Sequence, residues 1–375
     1  MISDFDDYPI HQLPQPVNQP GSSDRNFYDR YWFNGFDRDG AFDFEIGLGL
    51  YPNRRVMDGH FSVAIGGRQH SFHASRRAAA ERSDLQVGAL RIEIVRPMRI
   101  VRVRLEKNSS GIECDLTFRA RTAPTQEPKN LMYDDLRVIM ESCRFAQFGT
   151  WEGYFETEGV RTAVSAARTL GARDRSWGVR PVGEPEMGAP GPMATDPGVY
   201  WVWAPIDFGD VCTQFRTFED REGHPTELSA AIVPAYASID DIPRGIEPGH
   251  QDMATARHRI EWEKGTRRPQ RAEIELIAHD GKNHLITLEP MMRFQLLGIG
   301  YQHPEWGHGF WKGDEASGNE AWNLDDLDPL DYKHIHVHKI CKARMGDRVG
   351  VGTLETIVFG RHVPSGFESL LDGAR

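Results

Sequence analysis

No uninterrupted apolar run in this chain approaches the roughly 20 residues that a membrane-spanning helix needs. The first residues carry Asp4, Asp6 and Asp7 where a secretory leader would place positive charge and then an apolar stretch. The expectation is a soluble, cytoplasmic protein without a transmembrane segment. Cysteine is scarce. The four present, Cys114, Cys143, Cys212 and Cys341, lie far apart and form no C-x-x-C pair, which argues against a disulfide framework or a zinc knuckle and for reduced thiols. Positive charge is in deficit: Lys plus Arg total 44 against 55 for Asp plus Glu, a formal charge of -11. The phosphate-neutralising surface of a nucleic-acid binder is therefore missing, and nucleic acid is not an expected partner. Nucleotide-binding motifs are missing too. Gly47-x-Gly49 and Gly350-x-Gly352 lack the third glycine and the strand-to-helix setting of a dinucleotide fingerprint, and there is no P-loop, no G-x-S-x-G elbow and no H-E-x-x-H. No cofactor is expected.

What the sequence does contain is alternation. Ile112, Cys114, Leu116 and Phe118 alternate with Glu113, Asp115, Thr117 and Arg119, which gives an extended segment one apolar and one polar face. The same pattern runs through Val101, Val103 and Leu105, and through Ala272, Ile274 and Leu276. Gly66-Gly67 and Asp280-Gly281 sit between such runs as hairpin turns. Helical periodicity is confined to two weak candidates, Pro128 to Met140 and Thr162 to Leu170. Short strands separated by turns predict an all-β chain of antiparallel barrels or sandwiches with few short helices.

At 375 residues the chain is long for one core. Residues 9 to 24 are rich in Pro, Gln, Asn and Ser and predict a mobile or surface-draped arm, and Glu184 to Gly198 forms a breaker-rich connection. The expected organisation is an N-terminal arm over 1–24, a first β domain over 25–165 and a second over 166–375.

Four stretches carry candidate chemistry. Arg173-Asp174-Arg175-Ser176-Trp177-Gly178, followed by Tyr200-Trp201-Val202-Trp203 and Asp207-Phe208-Gly209-Asp210, places one carboxylate among arginines next to indoles, a pairing suited to proton transfer onto an apolar substrate. The loop Tyr301-Gln302-His303-Pro304-Glu305-Trp306-Gly307-His308 offers His303, Glu305 and His308 as acid/base candidates, with Tyr301 and Trp306 as ring contacts. Tyr31 and its aromatic neighbours are an N-terminal counterpart. His334, His336 and His338 would project from one face of a strand and could bind zinc, although alternation explains them equally as a polar face; no metal is assigned.

The stretch 173–178 with its Pro/Gly spacer, Trp201-Val202-Trp203 and Asp207-Phe208-Gly209-Asp210 resembles the entry to the second domain of carotenoid 1,2-hydratase-like (hydroxyneurosporene synthase-like, AttH-like) proteins. The resemblance implies two lipocalin-like β-barrel domains in tandem and a hydratase, isomerase or cyclase activity on a hydrophobic terpenoid, polyene, steroid or aromatic substrate. The residues themselves make Asp174 the preferred proton donor, with Glu305 or His303 second, and Trp177, Trp201, Trp203, Tyr301, Trp306, His308 and Tyr31 the candidate substrate contacts; the loop over 303–311 matches no catalytic motif of that family. Burial against Trp177 would raise the Asp174 pKa, and Arg173 and Arg175 oppose this unless an extended backbone turns them away. Two other classes stay open: a non-catalytic carrier of a small hydrophobic ligand, and a metal-dependent hydrolase or lyase using His334, His336 and His338.

Overall fold

The computed structural model describes residues 2–134, 136–185, 187–188 and 197–375. Among them are 24 strands and four short 3-10 turns, with no α-helix, and no helix is long and apolar enough to cross a membrane. The strands form two curled antiparallel sheets, so the fold is all-β as expected. Most of the connection over 184–198 lies outside the described residues.

The first sheet runs in the order Glu315–Asn323, Arg68–Arg77, Val56–Ile65, Phe42–Tyr51, Phe27–Asp37, Thr169–Val179, Arg137–Thr157, Glu113–Ala120, Ile100–Leu105, Leu90–Arg96 and Gln86–Val87. Its path curls back on itself, bringing the Leu90 and Val87 side chains within 3.1 and 3.3 Å of where a Cβ of Gly59 would stand. The enclosed face is apolar: Phe33, Phe44, Phe61, Phe118 and Trp151 meet edge-to-face or stacked at centroid distances of 5.3 to 6.2 Å. The second sheet runs from Gln251–Asp252 through Pro225–Pro234, Val211–Glu219, Val199–Trp203, Arg348–Phe359, Val337–Met345, Asn283–Gln295 and Pro269–Ile277 to Thr255–Trp262, around its own core of Val202, Phe215, Ile274, Leu288 and Leu354. The exchange between sheets falls between Val179 and Val199, downstream of the anticipated 165/166 division, and Glu315–Asn323 returns from the second half of the chain to pair with Arg68–Arg77.

The hairpins at Gly66-Gly67 and Asp280-Gly281 form, and Gly66 (φ 58°) with Gly67 (φ 79°) supplies the two positive dihedrals that a tight hairpin turn requires. The two helical candidates are corrected. Asn130–Asp134 pairs with Arg137–Thr157, and Thr162 to Leu170 divides into the strand Val160–Val164, a turn at residues 165–168 and the start of Thr169–Val179. Sheet pairing overrides the helix propensity of these Ala- and Arg-containing segments. Residues 9–24 form no strand; Asn53 donates to the Ser22 and Asp24 carbonyls, and Arg82 to that of Asn18.

The two sheets meet through the faces that do not enclose their own cores. Trp32, Ala146, Phe148 and Ala172 of the first pack against Trp201, Trp203 and Phe294 of the second. Around them the seam is polar: Asn34 donates to Thr353 Oγ1 at 2.8 Å, His338 bonds Glu45 at 2.6 Å, Gln69 and Gln295 exchange two hydrogen bonds at 2.8 Å, and Arg216 pairs with Glu127 at 2.9 Å.

This packing separates two tryptophans that the sequence leaves equivalent. Trp151→Ala should cost about 3–5 kcal/mol in denaturant unfolding, as expected for an aromatic removed from a filled core. Trp177→Ala, at a position 39% exposed, should cost less than about 1 kcal/mol.

Candidate active site between the sheets

Thr169–Val179 lies between Phe27–Asp37 and Arg137–Thr157, and the register sets Asp174 opposite Trp32 on one side and Ala146 on the other. Alternation therefore points Asp174 into the seam. Arg173, Arg175 and Trp177 point the other way: Arg173 bonds Gln147 Oε1 at 2.9 and 2.7 Å, Arg175 bonds Asp29 and lies over the Tyr31 ring, and Trp177 meets Phe145 edge-on at 6.5 Å. The extended backbone thus removes both neighbouring arginines from Asp174, and it removes Trp177 and Tyr31 from the site as well.

Across the seam, register brings Trp203, Glu355 and His338 side by side on the second sheet. Trp32 joins the two rows, its ring edge-on to Trp203 at 5.4 Å and to His338 at 5.5 Å. Asp174 is 9% exposed and accepts no hydrogen bond among the described residues; its nearest cation is Arg144, at 3.8 Å. Only Nη1 of Arg144 faces Asp174, at ion-pair and not hydrogen-bond distance. Its guanidinium donates to Glu127 at 2.9 and 2.6 Å and lies 5.1 Å and 5.5 Å from the Trp201 and Trp203 ring centroids. Burial raises the Asp174 carboxyl to about 7, with Arg144 pulling the other way and Glu127 and Glu355 adding to the rise.

The facing groups have the opposite charge state. Burial would raise the Glu355 carboxyl, but the His338 charge and hydrogen bonds from His336 and His338 outweigh it and hold the group well below the usual carboxylate range. Burial would likewise lower His338, but Glu45 and Glu355 together push it up to about 10, so an imidazolium sits between two carboxylates. Trp32 Nε1 donates to the second Glu45 oxygen at 3.0 Å, and Asp43, raised by burial and by the Glu45 charge, completes the row. The seam thus presents two carboxyls that burial raises, Asp174 and Asp43, and two carboxylates on His338, Glu45 and Glu355. The Trp203 indole N–H and His336 Nδ1 are buried there without a hydrogen-bond partner among the described residues.

Tyr301 borders the same region, edge-on to His336 at 4.7 Å and to His308 at 4.5 Å. Its phenol is raised to about 12 by burial, against Arg180 and Arg30. Gly300 (φ 92°) makes this approach possible, since a Cβ there would lie within 3 Å of the His60 and His308 rings. The His308 proton is assigned by its partners: Nε2 donates to the Ile299 carbonyl at 2.8 Å and Nδ1 accepts from Arg180 at 2.9 Å. It binds backbone and orients the loop.

The remaining candidates gather beyond Arg30. His303 Nε2 bonds Glu320, which also lies 3.1 Å from His73 Nε2; His73 bonds His60 at 2.9 Å and stacks on Trp306 at 5.8 Å. Glu305 is exposed to solvent. Among the described residues, His73, His303 and Glu320 bring three ligand-type atoms within 4.8 Å of one another. Two backbone N–H groups, of Glu305 and Trp306, donate to His303 Nδ1 at 3.0 and 2.9 Å, which leaves the ring proton on Nε2, the atom a metal would need. This arrangement suits a hydrogen-bonded cluster better than a metal centre. The His334–His338 run does not form one strand face: His334 sits in a 3-10 turn bonded to the Asp328 carbonyl, and the strand begins at Val337.

Thus Asp174, Trp201, Trp203 and Tyr301 come together, while His303, Glu305 and Trp306 lie apart from them, and His308 reaches the site only through Tyr301. Arg144, Glu355, Trp32 and Glu45 complete the candidate site and were not among the sequence candidates, whereas His338 was one as a metal ligand and here is an ion-pair partner. Trp32 had a signal as a neighbour in the aromatic stretch around Tyr31.

The fold is similar to that of a candidate AttH from Nitrosomonas europaea, with a TM-score of 0.55 and 12% identity over 93% of this chain and 98% of that one. Lower scores relate it to kievitone hydratase from Nectria haematococca (0.49, 11% identity, 88% of each chain) and to CghA (0.46, 11% identity, 90% and 89%). The resemblance to AttH-like proteins therefore holds at the level of fold. No curated protein matches the sequence. Residues 2–368 match the family described as a family of unknown function (DUF8625), and the chain belongs to that family.

Proposed function

We propose that the seam is the active site of a cofactor-independent, hydratase-type enzyme acting on an unsaturated hydrophobic substrate of the terpenoid, polyene, steroid or aromatic class, with isomerisation and cyclisation as variants of the same acid catalysis. The observation that carries this reading is the protonation pattern: a buried carboxyl near pKa 7, unclamped by arginine, facing an ionised carboxylate across indole rings.

The Asp174 proton would add to one alkene carbon as the π bond breaks, leaving positive charge on the other. Trp32 and Trp203 offer π-faces to that charge, worth about 0.5–2 kcal/mol per ring, and Glu355 offers a full negative charge. Water adding to the cation would return its proton to the Asp174 carboxylate, which closes the cycle without an external acid, reductant or nucleotide. Loss of a different proton to the same carboxylate gives an isomer, and attack by a second double bond gives a ring. Arg144 and His338 hold the charges that set Asp174 and Glu355 apart; they position rather than react.

Asp174→Asn should reduce turnover of a hydrated polyene by at least about 10²-fold while leaving its affinity within about threefold, read by mass spectrometry for product and by calorimetry for binding. Unchanged turnover would overturn the assignment, and a ligand returned unaltered by the parent protein would favour a carrier. The active form is the protonated one, so kcat should fall as the pH rises through about 7. Stability gives an independent check. A carboxyl whose folded pKa lies above its unfolded value binds more protons folded than unfolded, so it destabilises progressively between about pH 4 and 7. The stability of Asp174→Asn relative to the parent should therefore rise between pH 5 and 8.

A further inference from the structure

A second polar constellation lies on the other side of the strand Val199–Trp203. Trp201 and Trp203 face the seam, whereas Tyr200 and Val202 face the core enclosed by the second sheet. At one end of that core is a cavity of about 590 Å³, large enough for a two- or three-ring molecule. Trp262, Ile260 and Leu228 form apolar wall, and Ala256 leaves room between them. Ala256, His258, Ile260 and Trp262 share one strand face, so His258 is a polar residue within an otherwise apolar stripe.

Five groups from four segments of the chain line this cavity as one polar cluster. Glu219 stands at its centre. Glu219 Oε2 lies 3.2 Å from His362 Nε2, and His362 Nδ1 lies 2.8 Å from Ser365 Oγ. On the other side, Glu219 Oε1 lies 3.6 Å from His258 Nδ1, and His258 Nε2 lies 2.8 Å from the Tyr200 hydroxyl. The Tyr200 and His362 rings stack at 3.9 Å. A carboxylate only accepts, so His362 donates from Nε2 to Glu219 and its Nδ1 accepts from the Ser365 hydroxyl. His258 Nδ1 faces Glu219 at ion-pair distance, and with the ring proton on that side its Nε2 accepts from the Tyr200 hydroxyl. Burial supports the neutral state of His258 by lowering its pKa, against the Glu219 charge. The two hydroxyls and Glu219 offer lone pairs to the cavity beside an indole, so this end of it accepts hydrogen bonds and disfavours an anion, while Arg257, Arg259 and Glu261 line the rest of the wall.

We propose that this cavity is a second binding site, separate from the seam, for a flat aromatic molecule bearing a hydroxyl donor, a phenol. The apolar wall takes the ring, and the polar cluster accepts the phenolic proton. The inference does not depend on the activity proposed for Asp174, because no residue is shared between them.

The test is calorimetric titration of the full chain with 2-naphthol, 2-methoxynaphthalene and 2-naphthoate. 2-Naphthol should bind one to one and quench tryptophan fluorescence through Trp262, whereas the ether and the carboxylate should bind at least about tenfold more weakly, as the loss of one well-made hydrogen bond implies. Ala256→Trp, which fills the cavity, should abolish 2-naphthol binding. His258→Phe should weaken it about tenfold and Ser365→Ala about threefold, each with an unchanged unfolding temperature as the control for folding. If the cavity-filling variant does not fold, the two milder ones decide. Equal affinity for the ether, preference for the carboxylate, or 2-naphthol affinity unmoved by all folded variants would overturn the proposal.

Discussion

An imidazolium held between two carboxylates, Glu45–His338–Glu355, is the interaction around which this molecule is assembled. His338 and Glu355 are neighbours on adjacent strands of the second sheet and Glu45 comes from the first, each from a strand whose other face is committed to an apolar core, so the triad is completed only when the two sheets are pressed together. Burying such a triad is costly, and removing one member would leave a charge stranded in the seam. Its worth lies in specificity: it fixes the relative placement of the sheets to within hydrogen-bond tolerance.

That placement sets the electrostatics of everything nearby. With His338 charged, Glu355 stays ionised, and burial, with Glu127 and Glu355 adding to it, makes a further carboxylate at Asp174 unfavourable in the same dry volume. Two carboxyls of one chain are thereby driven to opposite protonation states by their surroundings alone. Arg144 tempers the effect without cancelling it, because its hydrogen bonds are spent on Glu127 and its plane rests against indoles. A guanidinium clamped directly on Asp174 would have returned that group to an ordinary aspartate.

Strand alternation made the all-β class and several hairpins legible from residue types, since period two and turn glycines are local signals. Alternation also put Asp174 on the face opposite Arg173 and Arg175, which the structure reproduces through its register. The same rule should have removed Trp177, three residues on, and did not, because a run of one acid and one indole reads as a pair only until their faces are counted. The seam itself was hidden for a physical reason. In Phe42–Tyr51, Asp43 and Glu45 alternate with Phe42, Phe44 and Ile46, the pattern of a strand with one wet face, yet every residue of that strand is buried. A sequence shows that a face is polar and not whether water or another sheet covers it. Arg144 was lost in a stretch bordering an apparent helix, and Glu355 and His338 meet only through pairing of strands that no local motif announces.

The return of Glu315–Asn323 to cover Arg68–Arg77 has a consequence for how the chain is made. Translation delivers the thirteen other strands of this sheet long before this late arrival, so during synthesis the nascent first sheet carries an open row of backbone donors and acceptors until residue 323 has left the ribosome. Glu315, Asn319 and Asn323 then become the exposed outer border. Polar side chains at that border are what a growing polypeptide needs in order to leave its neighbours on the same message unjoined.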